Sequence, residues 1–486
     1  MLVDISDDAF LSALLELGVD TDGDGMISSD EAARVISLDL FRCNISDLNG
    51  IKAFINLDTL NCSSNHISNL DVSGNTGLIV LNCNYNQLTS LDISNNTNLT
   101  ELHCGYNQIS SLDVSDNRYL KRLDCFWNQL SSLDVSYNTF LTRLSCNANH
   151  LAKLDVANNI ALIELSCGDN DLTSLEISNN TALEDLFCWS NQLTNLDVSS
   201  NRNLKYLYCD GNLLTSIDVS KNLNLVSLEC GRNQLSSLDV SDISFLYSLE
   251  CQENQLSSLD VSKNFKLVRL ECFNNLLTSL DVSNCENLWY LYCQWNQLTS
   301  LDVSNCVDLW ELNCQWNQFT SLNLTNNSAL RGLICNNNQL TSLDVSNNPE
   351  LNYLNCEYNL LTSLDVSTNN ALVEMHCSFN QLTGLDFSNN MDLEWLYCNE
   401  NQLTGIDLTA NASLHVLQCK GNQLSSLDIS HNSELGQNSG GFVELDLSRM
   451  PKLYKVCVWE SPFPPAELEL DTTGSPNLYF TLDCGE

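Results

Sequence analysis

Residues 20 to 31 read Asp-Thr-Asp-Gly-Asp-Gly-Met-Ile-Ser-Ser-Asp-Glu, a run of oxygen donors at the spacing a hard divalent cation takes. Asp20, Asp22 and Asp24 stand at alternate positions, Gly25 permits a sharp turn, and Met26 offers its carbonyl. Ile27 packs inward, Ser28 can hold a water, and Glu31 closes the set as a bidentate carboxylate. Three carboxylates this close repel one another unless a cation lies between them. One bound calcium ion is therefore expected, with Asp20, Asp22, Asp24, Met26 and Glu31 as its ligands. The competing reading is an acidic helix N-cap that holds no ion.

Other chemistry is sparse. The six histidines are scattered, and no nucleophile elbow, phosphate loop or metal-ligand His/Cys spacing occurs. Carboxylates abound, but in a uniform row from Asp71, Asp92 and Asp113 onward to Asp428, with Glu176 and Asn323 at two of its places. A uniform row reads as a solvated scaffold hydrogen-bonded by flanking serines, with an ordered ion array as the alternative. These features predict a protein that is not an enzyme.

Aromatic residues break the uniformity. Trp289, Tyr290, Tyr292, Trp295, Trp310 and Trp316 fall within two successive repeats, where Trp289 is expected to stack on Trp310 and Trp295 on Trp316. Exposed aromatic side chains on a rigid surface commonly mark binding sites. The alternative is a ladder of rings that cover one another for stability. Beside them Glu229, Glu250 and Glu271 form one row, with Arg232 and Arg269 near enough to neutralise it.

The elements that must position these residues follow from a period. Cysteine recurs every 21 residues from Cys62 to Cys419 without insertion or deletion, eighteen times. A fixed period in this range means stacked coils. The unit Leu351 to Met375 shows two half-turns, L-x-x-L-x-C-x-x-N and L-x-x-L-D-V-S-x-N. Leu354 and Cys356 alternate inward on one short strand, and Leu364 and Val366 on a second. The cysteines then form a ladder of buried, reduced thiols, since free Cys packs as a small hydrophobe. Asparagine makes a second ladder from Asn65 to Asn422, present in every coil, where the chain must turn. A further Asn row, Asn75 to Asn432, is broken only by Ile243, Cys285 and Cys306. Stacked equivalents lie about 4.8 Å apart, inside the range of roughly 4.4–6.8 Å that a disulfide accepts. A Cys285–Cys306 bridge is thus expected, with two free thiols filling the Asn site as the open alternative.

These repeats resemble bacterial leucine-rich repeat proteins with nested 21-residue units, many of them secreted or on the cell surface. The resemblance covers about residues 38 to 435. It implies an all-β solenoid: a right-handed rod of about eighteen coils with parallel strands, sheets on both faces, and a length of roughly 85 Å. Residues 20 to 31 resemble the calcium loop of EF-hands and dockerins, here present once and placed to stabilise a cap. Residues 1–37 are assigned as a helical N-terminal cap, 38–435 as the solenoid, and 436–486 as a non-repetitive C-terminal cap resembling those that close similar proteins. In that tail Cys457 and Cys484 stand as disulfide partners in a Pro-rich segment.

Lys and Arg number 20 against 61 Asp and Glu, giving a net charge of −41. A field of that sign repels nucleic acid and anionic membranes, and no apolar run reaches the roughly 20 residues of a membrane span. The expectation is an extracellular, secreted or cell-surface, monomeric binding or adhesion protein. Its Cys-side sheet would contact a protein or polysaccharide. The alternative is a structural spacer presenting a fused domain.

Overall fold

The computed structural model describes residues 1–437, 443–466 and 468–484 of a parallel β-solenoid. The chain divides into two compact units, Met1–Asp239 and Val240–Glu486. Among the described residues no helix is long and apolar enough to cross a membrane.

The first unit begins with a helix, Asp8–Glu16, whose N-cap Asp7 accepts hydrogen bonds from the amides of Ala9 and Phe10. Phe10, Ala13 and Leu14 form its buried face, while Leu15 is exposed. Phe10 packs on Phe54 with ring centroids 6.4 Å apart, which seats the helix on the first coils. The calcium-type loop follows, and then a short helix, Ser29–Ala32.

Ten three-residue strands complete this unit. The first is Ser37–Asp39; the rest run from Thr59–Asn61 to Ser227–Glu229, one every 21 residues. Each pairs in parallel and in register with the next, Leu60 on Leu81 and Leu81 on Leu102. The inward Leu and Cys of every coil are fully buried. Each Leu side chain removed from water in this way stabilises the stack by roughly 1.5–3 kcal/mol.

In the second unit nine such strands run from Ser248–Glu250 to Val416–Gln418, again in parallel register. Segment 436–486, expected to be non-repetitive, carries the ladder further: Leu445 pairs with Leu417, and Leu470 with Leu445. The cysteine period missed these coils and the first one because other residues fill its place, buried Leu40 at the start and buried Leu447 near the end. The main ladder thus has more coils than the eighteen counted from cysteines. Cys457 and Cys484 are joined by a disulfide with Cα atoms 5.5 Å apart.

The second half-turn differs from expectation. Among the described residues a continuous sheet forms there only toward the end of the chain, from Ser426–Asp428, Lys455–Cys457 and Tyr479–Thr481. Elsewhere only isolated bridges occur, such as Asp71 to Asp92 and Asp260 to Asp281. Along this half-turn the Asp side chains bond locally. Asp92 Oδ1 accepts the amide of Ser94 at 3.0 Å, and Asp113 and Asp134 do the same for Ser115 and Ser136. Each such bond closes a local turn, and Asp428 makes the same bond to Ser430 inside the terminal sheet.

Candidate functional site

The two asparagine rows set the geometry of every outward residue. Asn86 Nδ2 donates to the carbonyls of Cys62 and Cys83, and its Oδ1 accepts the amide of Ile67. Because this bonding fixes the turn, the residue before each first-row Asn is held in the left-handed region: Tyr85 at φ 54°, Trp127 at 52°, Trp295 and Trp316 at 52°. Such a backbone is uncommon for bulky residues and persists where the surroundings over-determine it. These turn positions are free of core packing duties, and aromatic residues occupy many of them.

In the second unit Arg269 joins two members of the aromatic cluster, Tyr290 and Tyr292. Its Nε donates to Glu250 at 3.2 Å, and its guanidinium also pairs closely with Glu271. The same group lies over the rings of Tyr290 and Tyr292, at 5.6 and 5.3 Å. Burial, followed by the charge and hydrogen bond of Glu311, pushes the Tyr292 phenol well above its ordinary value. Trp310 meets Tyr290 edge-on at 5.5 Å and lies under the guanidinium of Arg331.

The expected tryptophan stacks do not form. Trp295 packs on Phe273 at 6.5 Å, and among the described residues no ring contact joins it to Trp316, or Trp289 to Trp310. Trp289 and Trp310 stand one residue before their strands, where each amide donates to the coil before it, Trp289 to Val268 and Trp310 to Trp289. All four indoles remain about half exposed, Trp289 at 50% and Trp316 at 51%. The four indoles thus do not stack on one another, although Trp295 and Trp310 each keep a ring neighbour in Phe273 and Tyr290.

A stacked ladder does exist where the cluster did not point. Tyr85 and Tyr106 stack at 4.2 Å and 14°, and Tyr106 and Trp127 at 5.5 Å and 7°. Tyr358 and Phe379 repeat the arrangement at 4.2 Å in the second unit. Their signal in the sequence is the same turn position in consecutive repeats.

The N-terminal loop brings Asp20, Asp22 and Asp24 together, with one carboxylate oxygen of each within 4.8 Å of the others. Gly25 adopts φ +81°, the turn that the spacing required. Asp20 accepts the amides of Gly23 and Gly25 at 2.7 and 2.8 Å, and Asp24 that of Met26 at 2.8 Å. The Asp24 amide donates to Asp22 and alone would lower its pKa, but repulsion from Asp24, with smaller effects of Glu31 and Asp20, raises it. Glu31 stands outside this trio. Its oxygens accept from Thr21 and Ser28 in a capping box, and the Ser28 and Thr21 amides hold its carboxyl down at about 2.

Cys285 and Cys306 are free, buried thiols, so the expected bridge is absent. Each Sγ instead faces the carbonyl that a second-row Asn would meet, Val261 at 3.9 Å and Val282 at 3.7 Å. In-register side chains run parallel, and sulfur follows the Asn path rather than turning toward its neighbour.

Two of the histidines sit beside carboxylates. His103 Nδ1 lies 2.6 Å from Asp124, which also accepts from Arg122, and His376 lies 2.6 Å from Glu374 while stacking on Tyr397.

Comparison with known proteins places this architecture. The leucine-rich repeat family pattern, two copies, matches residues 76–117. The functional domain of InlJ from Listeria monocytogenes, described as including a cysteine ladder, is 34% identical over 78% of this chain and 80% of its own, with TM-score 0.65. The chain belongs to the leucine-rich repeat family. A Leptospira interrogans leucine-rich repeat protein, 21% identical over 81% of this chain and 92% of its own (TM-score 0.55), shares the fold of this leucine-rich repeat protein. So does the ectodomain of the Arabidopsis receptor kinase HAESA, solved with a peptide hormone, at 20% identity over 98% of each chain and TM-score 0.67. No curated protein matches in sequence.

Proposed function

We propose that this leucine-rich repeat protein is an extracellular, non-enzymatic binding or adhesion protein whose Cys-side sheet contacts a protein or polysaccharide around residues 289–316. One observation carries the reading. Four half-exposed tryptophans stand within residues 289–316, together with two tyrosines beneath Arg269, a cation already neutralised by Glu250 and Glu271. Rigid, exposed aromatic groups of this kind supply contact area at low entropic cost and dominate binding energy at interfaces. The N-terminal cap would hold one calcium ion through Asp20, Asp22 and Asp24, whose mutual repulsion a cation relieves. An extracellular setting supplies that ion and screens the charge of −41.

The test joins a glycan array to affinity capture from extracellular extracts, followed by substitution. Trp295→Ala and Trp316→Ala should each weaken the captured ligand by more than about 1 kcal/mol, as anchor residues commonly do. Unchanged affinity in both folded variants would move the site elsewhere. An absence of any ligand across both screens would favour the spacer reading.

A further inference from the structure

The ladder Tyr85–Tyr106–Trp127 has an open end. One face of Tyr85 rests on Tyr106, while the next coil back carries only Ser64 at the same turn position. One coil further back the position holds Arg42, at φ 56°, with its guanidinium 5.0 Å over the ring of Phe41. Between these walls lies a cavity of about 440 Å³ lined by Phe41, Arg42, Ser64, Asn82, Asn84 and Tyr85. That volume falls within the roughly 300–1,000 Å³ of small-molecule sites.

The lining supplies hydrogen-bond donors in excess. Asn82 Oδ1 already accepts the amide of Asn84 at 3.1 Å, and Asn84 Oδ1 that of Gly105 at 2.6 Å. These bonds fix both amides with Nδ2 as the group left over, and neither Nδ2 has a protein partner among the described residues. Arg42 likewise has no carboxylate within ion-pair distance among the described residues, although the chain carries 61 Asp and Glu. An unneutralised guanidinium beside two spare amides calls for a ligand that brings acceptors, above all a carboxylate.

The width of the gap selects the ring. Positions 42 and 85 are two coils apart, about 9.6 Å. A flat ring in contact with both walls needs only about 7–8 Å, at roughly 3.5–4.0 Å per contact. A chair pyranose, thickened by its axial hydrogens, takes up the difference that an aromatic side chain would leave empty. We propose that this slot binds a carboxylate-bearing pyranose: its ring against Tyr85, its carboxylate on Arg42, its hydroxyls on Asn82 and Asn84. The site lies wholly in the first unit and is independent of the ligand assigned to residues 289–316.

The experiment is calorimetric titration of the full chain with a hexuronic acid trimer, its monomer, and the neutral hexose trimer of the same linkage. Ser64→Trp is the deciding variant. Trp stands at this turn position in three other coils at φ 52°, so the backbone accepts it, and its ring fills the slot. The acidic trimer should bind at least about tenfold more tightly than the neutral one. Ser64→Trp and Arg42→Gln should each cost at least about tenfold in affinity, one step on the logarithmic scale of binding. Trp295→Ala should leave this titration unchanged, whatever it does to the other ligand. Equal binding of monomer and trimer assigns a free sugar acid, and tighter binding of the trimer a polymer unit; both uphold the slot. The proposal falls if the acidic trimer does not bind, or binds equally well to Ser64→Trp with an unaltered melt. It falls too if an acidic peptide binds more tightly than the trimer and is the ligand that Ser64→Trp excludes.

Discussion

Asn86 Oδ1 accepts the backbone amide of Ile67 at 3.0 Å, a bond from one coil to the coil before it. With Nδ2 on two cysteine carbonyls, this first-row Asn satisfies buried groups in both coils. Asn96 in the second row does half as much: Nδ2 donates to Val72 and Asn75, but its buried Oδ1 has no partner. The contrast explains why the first row is unbroken while Ile243, Cys285 and Cys306 interrupt the second. Leaving a buried donor unmet costs about 1–3 kcal/mol. Asn86→Ala should therefore destabilise the protein by about 2–4 kcal/mol in chemical denaturation, against about 1 kcal/mol or less for Asn96→Cys. Equal losses at the two positions would refute this account.

Thiol titration tests the cysteine ladder. The ladder thiols are fully buried, and burial pushes Cys62 up to about 12 and Cys83 well above its ordinary value. Cys43 alone among the 21 free cysteines is partly accessible, and burial with Asp39 nearby raises it too. Native protein near pH 8 should release one equivalent slowly to an aromatic disulfide reagent, and 21 equivalents after denaturation without reductant. Two fewer would mean that Cys285 and Cys306 are bridged after all.

Much of this was legible because a solenoid repeats one local decision. Leu81, Cys83 and Asn86 each recur in phase, so a single coil read correctly gives all the others. What escaped was whatever the period does not encode. Leu40 and Leu447 hide coils from a cysteine count. Asp92 spends its carboxylate on Ser94, which the alternation of Leu91 and Ile93 could not reveal. Trp295 and Trp316 share a phase, as Tyr85 and Tyr106 do, yet only the tyrosines stack. Phase fixes where a Cβ begins; the neighbours, here Phe273, decide where the ring ends.

Calcium should stabilise the N-terminal cap. The Asp20–Asp22–Asp24 trio has its backbone bonds in place, with the three carboxylates close enough to share a cation. Thermal melts with excess calcium should lie above those with chelator, by an amount that follows ligand linkage. Asp22→Ala should abolish the difference while leaving the chelated melt unchanged or slightly higher, because Asp22 is the carboxylate its neighbours repel. Identical melts with and without calcium in the unaltered protein would remove the ion from the cap.

Glu31 should make the same cap acid-labile. Its ordinary value of 4.5 falls to about 2 in the folded state, chiefly through the amides of Ser28 and Thr21. A carboxyl lowered on folding stabilises most fully above its unfolded value and loses that contribution as pH drops through the folded one. The stabilisation is therefore complete above pH 4.5 and fades progressively toward pH 2. Asp71, lowered by Lys52 and Ser73 from 3.8 to about 2, fades over an overlapping range, so the wild-type slope alone does not assign the effect. The comparison with Glu31→Gln does. In chelator, hydrogen exchange at the Thr21 and Ser28 amides should accelerate in the unaltered protein as pH falls from 4.5 to 2, after correction for intrinsic exchange. In Glu31→Gln those amides should be fast throughout, with no additional pH dependence. A variant that keeps the parental pH profile would show that another carboxyl governs the cap.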